Sequence, residues 1–197
     1  MVRYLLSKGL TVSDLRADDN IAIKNACMYG YIDIARELVK GGIGVSDIRD
    51  QSHYALCRAA KNGQGAIVVF LISLGLELSD LRVHNNLVLK QCARHGCMDA
   101  IVYLISQGID EQDIRDDEYF AIRVAVSGGH LEIGKYLSSK LPRSERESEK
   151  VKDYLHKGTS GNRSQSRSNS SHANSSSSNN FNRARNEDLS FLSFGAG

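Results

Sequence analysis

Apolar residues recur along the chain in two alternating kinds of run separated by glycine. In the first kind, a three-then-four spacing groups Ile23, Ala26 and Cys27, then Leu56, Ala59 and Ala60, then Leu89, Cys92 and Ala93, then Ile122, Ala125 and Val126. That spacing puts apolar and small residues on one closely packed helix face. The second kind follows Gly30, Gly63, Gly96 and Gly129: Ile34, Leu38 and Val39; Ile67, Leu71 and Ile72; Ala100, Leu104 and Ile105; Ile133 and Leu137. It predicts a second helix of about nine residues, ended by the next glycine (Gly42, Gly75 or Gly108), where a left-handed cap is cheap. The stretch that remains in each unit, such as 43–52, holds Asp, Ser and Asn and is expected to project as a loop.

The step is constant. Asp14-Leu15-Arg16, Asp47-Ile48-Arg49, Asp80-Leu81-Arg82 and Asp113-Ile114-Arg115 stand 33 residues apart, without an insertion or deletion. The chain therefore divides into four units, 14–46, 47–79, 80–112 and 113–141, and the fold class is all-α. A unit of helix, glycine turn, helix and loop with this period resembles the ankyrin repeat family over roughly residues 1 to 141. Gly129-His130-Leu131-Glu132-Ile133 and Lys135-Tyr136-Leu137 carry the likeness best. Where the family has Thr-Pro-Leu-His, this chain has Ile21-Ala22-Ile23-Lys24, Tyr54-Ala55-Leu56-Cys57, Leu87-Val88-Leu89-Lys90 and Phe120-Ala121-Ile122-Arg123. Apolar packing must then replace the family's Thr–His bracing. This variant is similar to the arrays encoded in many copies by very large DNA viruses. The resemblance implies a helical-repeat solenoid.

Both ends differ from the units. Val2–Leu6 aligns with a second helix alone, so residues 1–13 form a half repeat, either a makeshift cap or the start of a piece cut from a longer array. At the other end Pro142 stops the last unit, and Ser144-Glu145-Arg146-Glu147 reads as a capping box. It opens a charged capping helix over 142–157, with Glu147–Lys150 and Glu149–Lys152 pairs and with Val151, Tyr154 and Leu155 against the last unit. Residues 158–197 are Ser/Asn-rich and are expected to be disordered. They include an apolar cluster, Leu189 to Phe194, that reads equally as a docking motif or a chance grouping.

Charge sharpens this division. Residues 1–157 carry 21 basic and 21 acidic side chains, so the net +2 comes from Arg163, Arg167, Arg183 and Arg185 against Glu187 and Asp188. A neutral body argues against a nucleic-acid-binding core. The tail's arginines leave phosphorylation or RNA contact open there. No apolar run is long enough to span a membrane, and the first residues are too short for a signal peptide, which predicts an intracellular, cytoplasmic protein. Cys27, Cys57, Cys92 and Cys97 form neither a CxxC pair nor a zinc spacing, and reduced thiols are expected. Cys27 and Cys92 take small core positions, whereas Cys57 takes the slot of Lys24, Lys90 and Arg123 and, with Cys97, is a candidate for exposure. No phosphate loop, nucleophile elbow or metalloprotease motif is present, so an enzyme is the least expected class and no cofactor or metal is expected.

The resemblance further implies a concave surface of loop tips, exposed first-helix faces and the residues before each glycine. Its centre is basic and its outer tips, at Asp18 and at Asp116 and Asp117, are acidic. The expected function is non-catalytic protein binding by a monomer. Met28, Tyr29, Arg58, Lys61, Asn62, His84, Arg94 and His95 would meet a partner segment with an acidic or phosphorylated centre, since exposed Tyr and Arg are enriched among residues that dominate binding. Asp14, Arg16, Asp47, Arg49, Asp80, Arg82, Asp113 and Arg115 recur identically and are read as loop-building, with Asp capping a turn and Arg bridging to a neighbouring loop. Two rival readings remain: an adaptor bringing a host protein to a ubiquitin ligase, and an RNA-associated protein acting through the tail.

Overall fold

The computed structural model describes residues 8, 9 and 11–156, and among them the regular elements are all helical. They run α1 (Val12–Leu15), α2 (Ala17–Tyr29), α3 (Ile32–Lys40), α4 (Val45–Lys61), α5 (Gly65–Ser73), α6 (Leu78–Leu81), α7 (Val83–Arg94), α8 (Met98–Ser106), α9 (Glu111–Ser127), α10 (Leu131–Ser139) and α11 (Arg143–Arg146). A last helical stretch covers 149–156.

Each unit begins with one short helical turn, and its Asp causes it. The carboxylate of Asp14 accepts from the Thr11 N–H at 2.7 Å, Asp47 from Gly44 at 2.9 Å, Asp80 from Glu77 at 2.7 Å and Asp113 from Asp110 at 2.9 Å. A carboxylate three residues into a helix thus satisfies a backbone donor that the helix itself leaves open. The next residue anchors the turn: Leu15, Ile48, Leu81 and Ile114 are at most 3% exposed. The expectation of a projecting loop over 43–52 is therefore corrected. Ile43 and Ile48 are core residues and the segment between them turns into helix.

After that turn the chain does something no glycine announces. Asp18–Asn20, Gln51–His53, His84–Asn86 and Asp117–Tyr119 are each three consecutive residues at positive φ, between 48° and 63°. Left-handed backbone costs a non-glycine residue about 1–2 kcal/mol, so four such turns persist only because packing holds them. Beyond them the first helix proper buries Ile23, Leu56, Leu89 and Ile122 completely. Gly30, Gly63, Gly96 and Gly129 then reverse the chain at φ 69° to 84°. A nine-residue helix follows in every unit, as α3, α5, α8 and α10.

The helices pack in chain order. α2 lies on α4, α4 on α7 and α7 on α9, while α5 lies on α8, and each first helix also packs on the second helix of its own unit. One buried apolar cluster runs through them from Leu15 to Val151. Among the described residues no helix is long and apolar enough to cross a membrane.

The C-terminal end corrects the expected capping box. α11 stops at Arg146, and Ser148, not Ser144, opens the following helix by accepting from the Val151 N–H at 3.4 Å. Glu147 pairs with Arg143 at 2.7 Å and Lys150 with Glu118 at 3.3 Å, in place of the Glu147–Lys150 pair. With Glu147 drawn to Arg143, the Ser144 box is left without its acid, while Glu145 bonds Arg115. Val151 is fully buried, and Leu155 and Tyr136 pack at the edge of the core. Most of the 1–13 half repeat and the 158–197 tail lie outside the described residues, and with them the Leu189 to Phe194 cluster.

Candidate binding surface at units two and three

Neighbouring units are joined by arginine. Arg16 donates to Asp47 at 2.7 and 3.0 Å, Arg49 to Asp80 at 2.7 to 3.1 Å, and Arg82 to Asp113 at 2.9 and 2.8 Å. Planar guanidinium matches carboxylate with two parallel bonds, the strongest form of such a pair. Each Asp therefore serves twice, capping its own turn and receiving the Arg of the unit before. The Arg16 and Arg49 guanidiniums hold Asp47 and Asp80 below the ordinary carboxylate value. Burial opposes ionisation of Asp113, but Arg82 and the Asp110 N–H outweigh it, and its value also falls. Arg115 has no fifth Asp to meet and takes Glu145 at 2.7 to 3.0 Å instead. Glu145 stands one residue earlier than the period requires, and its longer side chain makes up the difference. Asp14 spends its carboxylate on Thr11.

A second set of contacts distinguishes the interfaces. Between units one and two, buried Lys24 reaches Asp50 at 3.2 Å and Asn20 reaches the same carboxylate at 3.4 Å. Between units three and four, buried Lys90 reaches Asp116 at 2.8 Å and Asp117 at 2.6 Å, with Asn86 on Asp116 at 3.5 Å. Burial disfavours the charged form of Lys90, yet the two carboxylates raise its value overall. Between units two and three both partners are gone. Cys57 occupies the lysine slot and Val83 the aspartate slot. His53, in the asparagine slot, turns instead to Asp80 at 2.7 Å.

Where the ion pair is missing, a cavity of about 570 Å³ opens, lined by Gln51, Ser52, Tyr54, Cys57, Arg58, Lys61, His84 and Leu87. Cys57 is only 7% exposed, which corrects its expected exposure; burial pushes its thiol value up, with Lys61 pulling weakly the other way. Arg58 is steered over the Tyr54 ring, 5.3 Å from its centroid, and donates to the Tyr54 hydroxyl at 3.0 Å. His84 bonds the Ser52 carbonyl at 3.0 Å, closing one side. Lys61 and Arg94 are exposed, and among the described residues no carboxylate pairs with either.

Of the candidate contact residues, the structure gathers Arg58, Lys61 and His84 around this cavity. Asn62 stands beside it with its amide on the Arg58 carbonyl at 2.8 Å. Arg94 and His95 end α7, and the His95 side chain lies over Gly63, where an added methyl group would come within 3.1 Å of it. Tyr29 is 59% exposed beside Tyr31, ring centres 6.1 Å apart, and half-buried Met28 precedes it; neither lines the cavity. Sequence reasoning missed Tyr54, Leu87 and Ser52. The usable signal was the joint loss of lysine and aspartate at one interface only.

No family model matches the chain, and no curated protein matches it significantly.

Proposed function

We propose that the chain is an ankyrin-type solenoid that acts without catalysis, holding a protein segment with an acidic or phosphorylated centre across units two and three. The observation that carries this reading is the contrast in how cations are used. Arg16, Arg49, Arg82, Lys24 and Lys90 are each committed to a carboxylate of the next unit, and Arg115 to Glu145 of the segment after the last one. Lys61 and Arg94 are not, and Lys61 with Arg58 edges the cavity at the interface from which the inter-unit lysine pair is missing. A cavity edged by uncommitted cations and by Tyr54 offers an anion both charge and an aromatic wall. Desolvated contacts of this kind dominate protein recognition.

The test is a peptide array in which each phosphoserine peptide stands beside its unphosphorylated twin and an acidic mimic. The wild-type chain should retain phosphorylated or acidic members preferentially, and the R58E/K61E/R94E variant should lose that preference. Equal retention of all members by both proteins would overturn the reading.

A further inference from the structure

Unit three alone carries two cysteines at positions where no sister unit has one. Position 92 is Ala26, Ala59 and Ala125 elsewhere, and position 97 is Tyr31, Gln64 and His130. The glycine turn brings these two positions together in every unit. The Cys97 N–H donates to the Cys92 carbonyl at 2.9 Å, as Tyr31 does to Ala26, Gln64 to Ala59 and His130 to Ala125. This six-to-one bond closes the helix end and sets the flanking side chains against each other. Covalent geometry then holds the two Cα atoms no more than about 6.8 Å apart, within the span a disulfide bridges.

The surroundings of Cys97 are made for it. Unit two has Gly65 where the other units have Ile32, Met98 and Leu131. A Cβ on Gly65 would stand 2.9 Å from the Cys97 Cβ and 3.2 Å from its sulfur. Cys97 is half-buried with its Sγ 3.4 Å from the Gly63 carbonyl, whereas Cys92 is fully buried. The Cys92 thiol, and next the Gly65 N–H, pull the Cys97 value below that of an ordinary thiol, while the Cys92 value rises. Cys27 and Cys57 are both buried with raised values.

We infer that Cys92 and Cys97 form a redox-active dithiol, with Cys97 the attacking sulfur and Cys92 the resolving one, oxidised by small-molecule disulfides. The Cys97 thiolate attacks one sulfur of the small disulfide, breaking its S–S bond and releasing one thiolate. That thiolate takes the Cys92 proton. The Cys92 sulfur then attacks Cys97, displacing the second small thiolate, which takes the proton that Cys97 gave up. Two protein thiols and one disulfide become one protein disulfide and two small thiols, with two electrons leaving the protein. The new bond draws the Cys97 sulfur from Gly63 and Gly65 toward its own helix, so oxidation acts on the contact between units two and three.

The full chain, reduced and then incubated with oxidised glutathione, tests this. Trypsin cuts after Lys90, Arg94 and Arg115, so the two cysteines fall in separate peptides, 91–94 and 95–115. Without reductant these should appear as one linked species, two hydrogens lighter than their sum, and dithiothreitol should restore both. Cys92→Ala carries the residue of the three sister units and should fold; it should stop at a single glutathione adduct on Cys97. Cys97→Ser should leave Cys92 unmodified. A wild-type chain that keeps its adduct on Cys97, that links Cys27 or Cys57 instead, or that stays fully reduced would overturn the inference. So would a Cys97→Ser chain modified at Cys92.

Discussion

The interface between units two and three and the one between units three and four share a scaffold and differ in the contacts built beside it. Both have the bidentate Arg–Asp contact, at 2.7 Å for Arg49–Asp80 and 2.8 Å for Arg82–Asp113. Only the latter adds a buried lysine on two carboxylates; the former has Cys57 and Val83 and opens a cavity. Stacking and surface chemistry are thereby separated. The repeated Arg–Asp contact sets how one unit meets the next, and the second pair is free to vary.

Acid should attack the shared part first and most broadly. The ladder carboxylates sit below their ordinary values, so the folded chain binds fewer protons than the unfolded one. Their stabilisation is complete above the unfolded value, near pH 4, and disappears as pH falls through the folded values. The thermal midpoint followed by circular dichroism should be flat near neutrality and fall steadily below about pH 4. In Asp80→Asn the deficit relative to wild type should shrink over the same range; parallel curves would show that the ladder charges are not what acid removes.

Single losses come next. Asp80→Ala strips Arg49, His53 and the Glu77 N–H of one buried acceptor and should cost about 3 kcal/mol in urea unfolding. Asp14→Ala, removing an exposed cap that no arginine of an earlier described residue reaches, should cost about 1 kcal/mol or less.

The comparison itself can be rewritten. Cys57→Lys buries an unmatched charge and should cost about 2 kcal/mol. Val83→Asp places one at a half-buried position and should cost about 1 kcal/mol, and the double variant should recover at least about 1 kcal/mol as coupling. Its peptide binding should fall as the cavity fills. The reverse transplant, Lys90→Cys with Asp116→Val, should stay within about 1 kcal/mol of wild type, because an apolar pair replaces a buried ion pair at little net change. Smallest of all is R58E/K61E/R94E, within about 0.5 kcal/mol in stability. A large loss there would mean that these cations hold the fold.

The units and the nine-residue second helices were legible in the sequence because glycine at a fixed step and a three-then-four apolar spacing are backbone and packing requirements written directly into residue type. The short turn built on each Asp was not, since an Asp-aliphatic-Arg tripeptide reads as well as a loop until Ile48 or Ile114 is seen buried. The left-handed turns were hidden further: Gln51, Ser52, Glu118 and Tyr119 carry no signal for positive φ, and only the third residue's reach into the next unit explains the conformation. Asn20, His53, Asn86 and Tyr119 all make that reach. For the binding surface, its charge could be read but not its hollow. A cavity depends on what two units jointly omit, and a residue-by-residue reading registers Cys57 and Val83 separately.

The arginine contacts all point the same way along the chain. Arg16, Arg49, Arg82 and Arg115, like the third left-handed residue of each turn, reach forward to a carboxylate of the segment that follows. During synthesis, which delivers the N-terminal end first, each unit emerges with its strained turn and its arginine still waiting. The unit settles when the next thirty or so residues have left the ribosome. Maturation therefore travels as a front one repeat behind the growing chain, and it ends when Glu145 reaches Arg115.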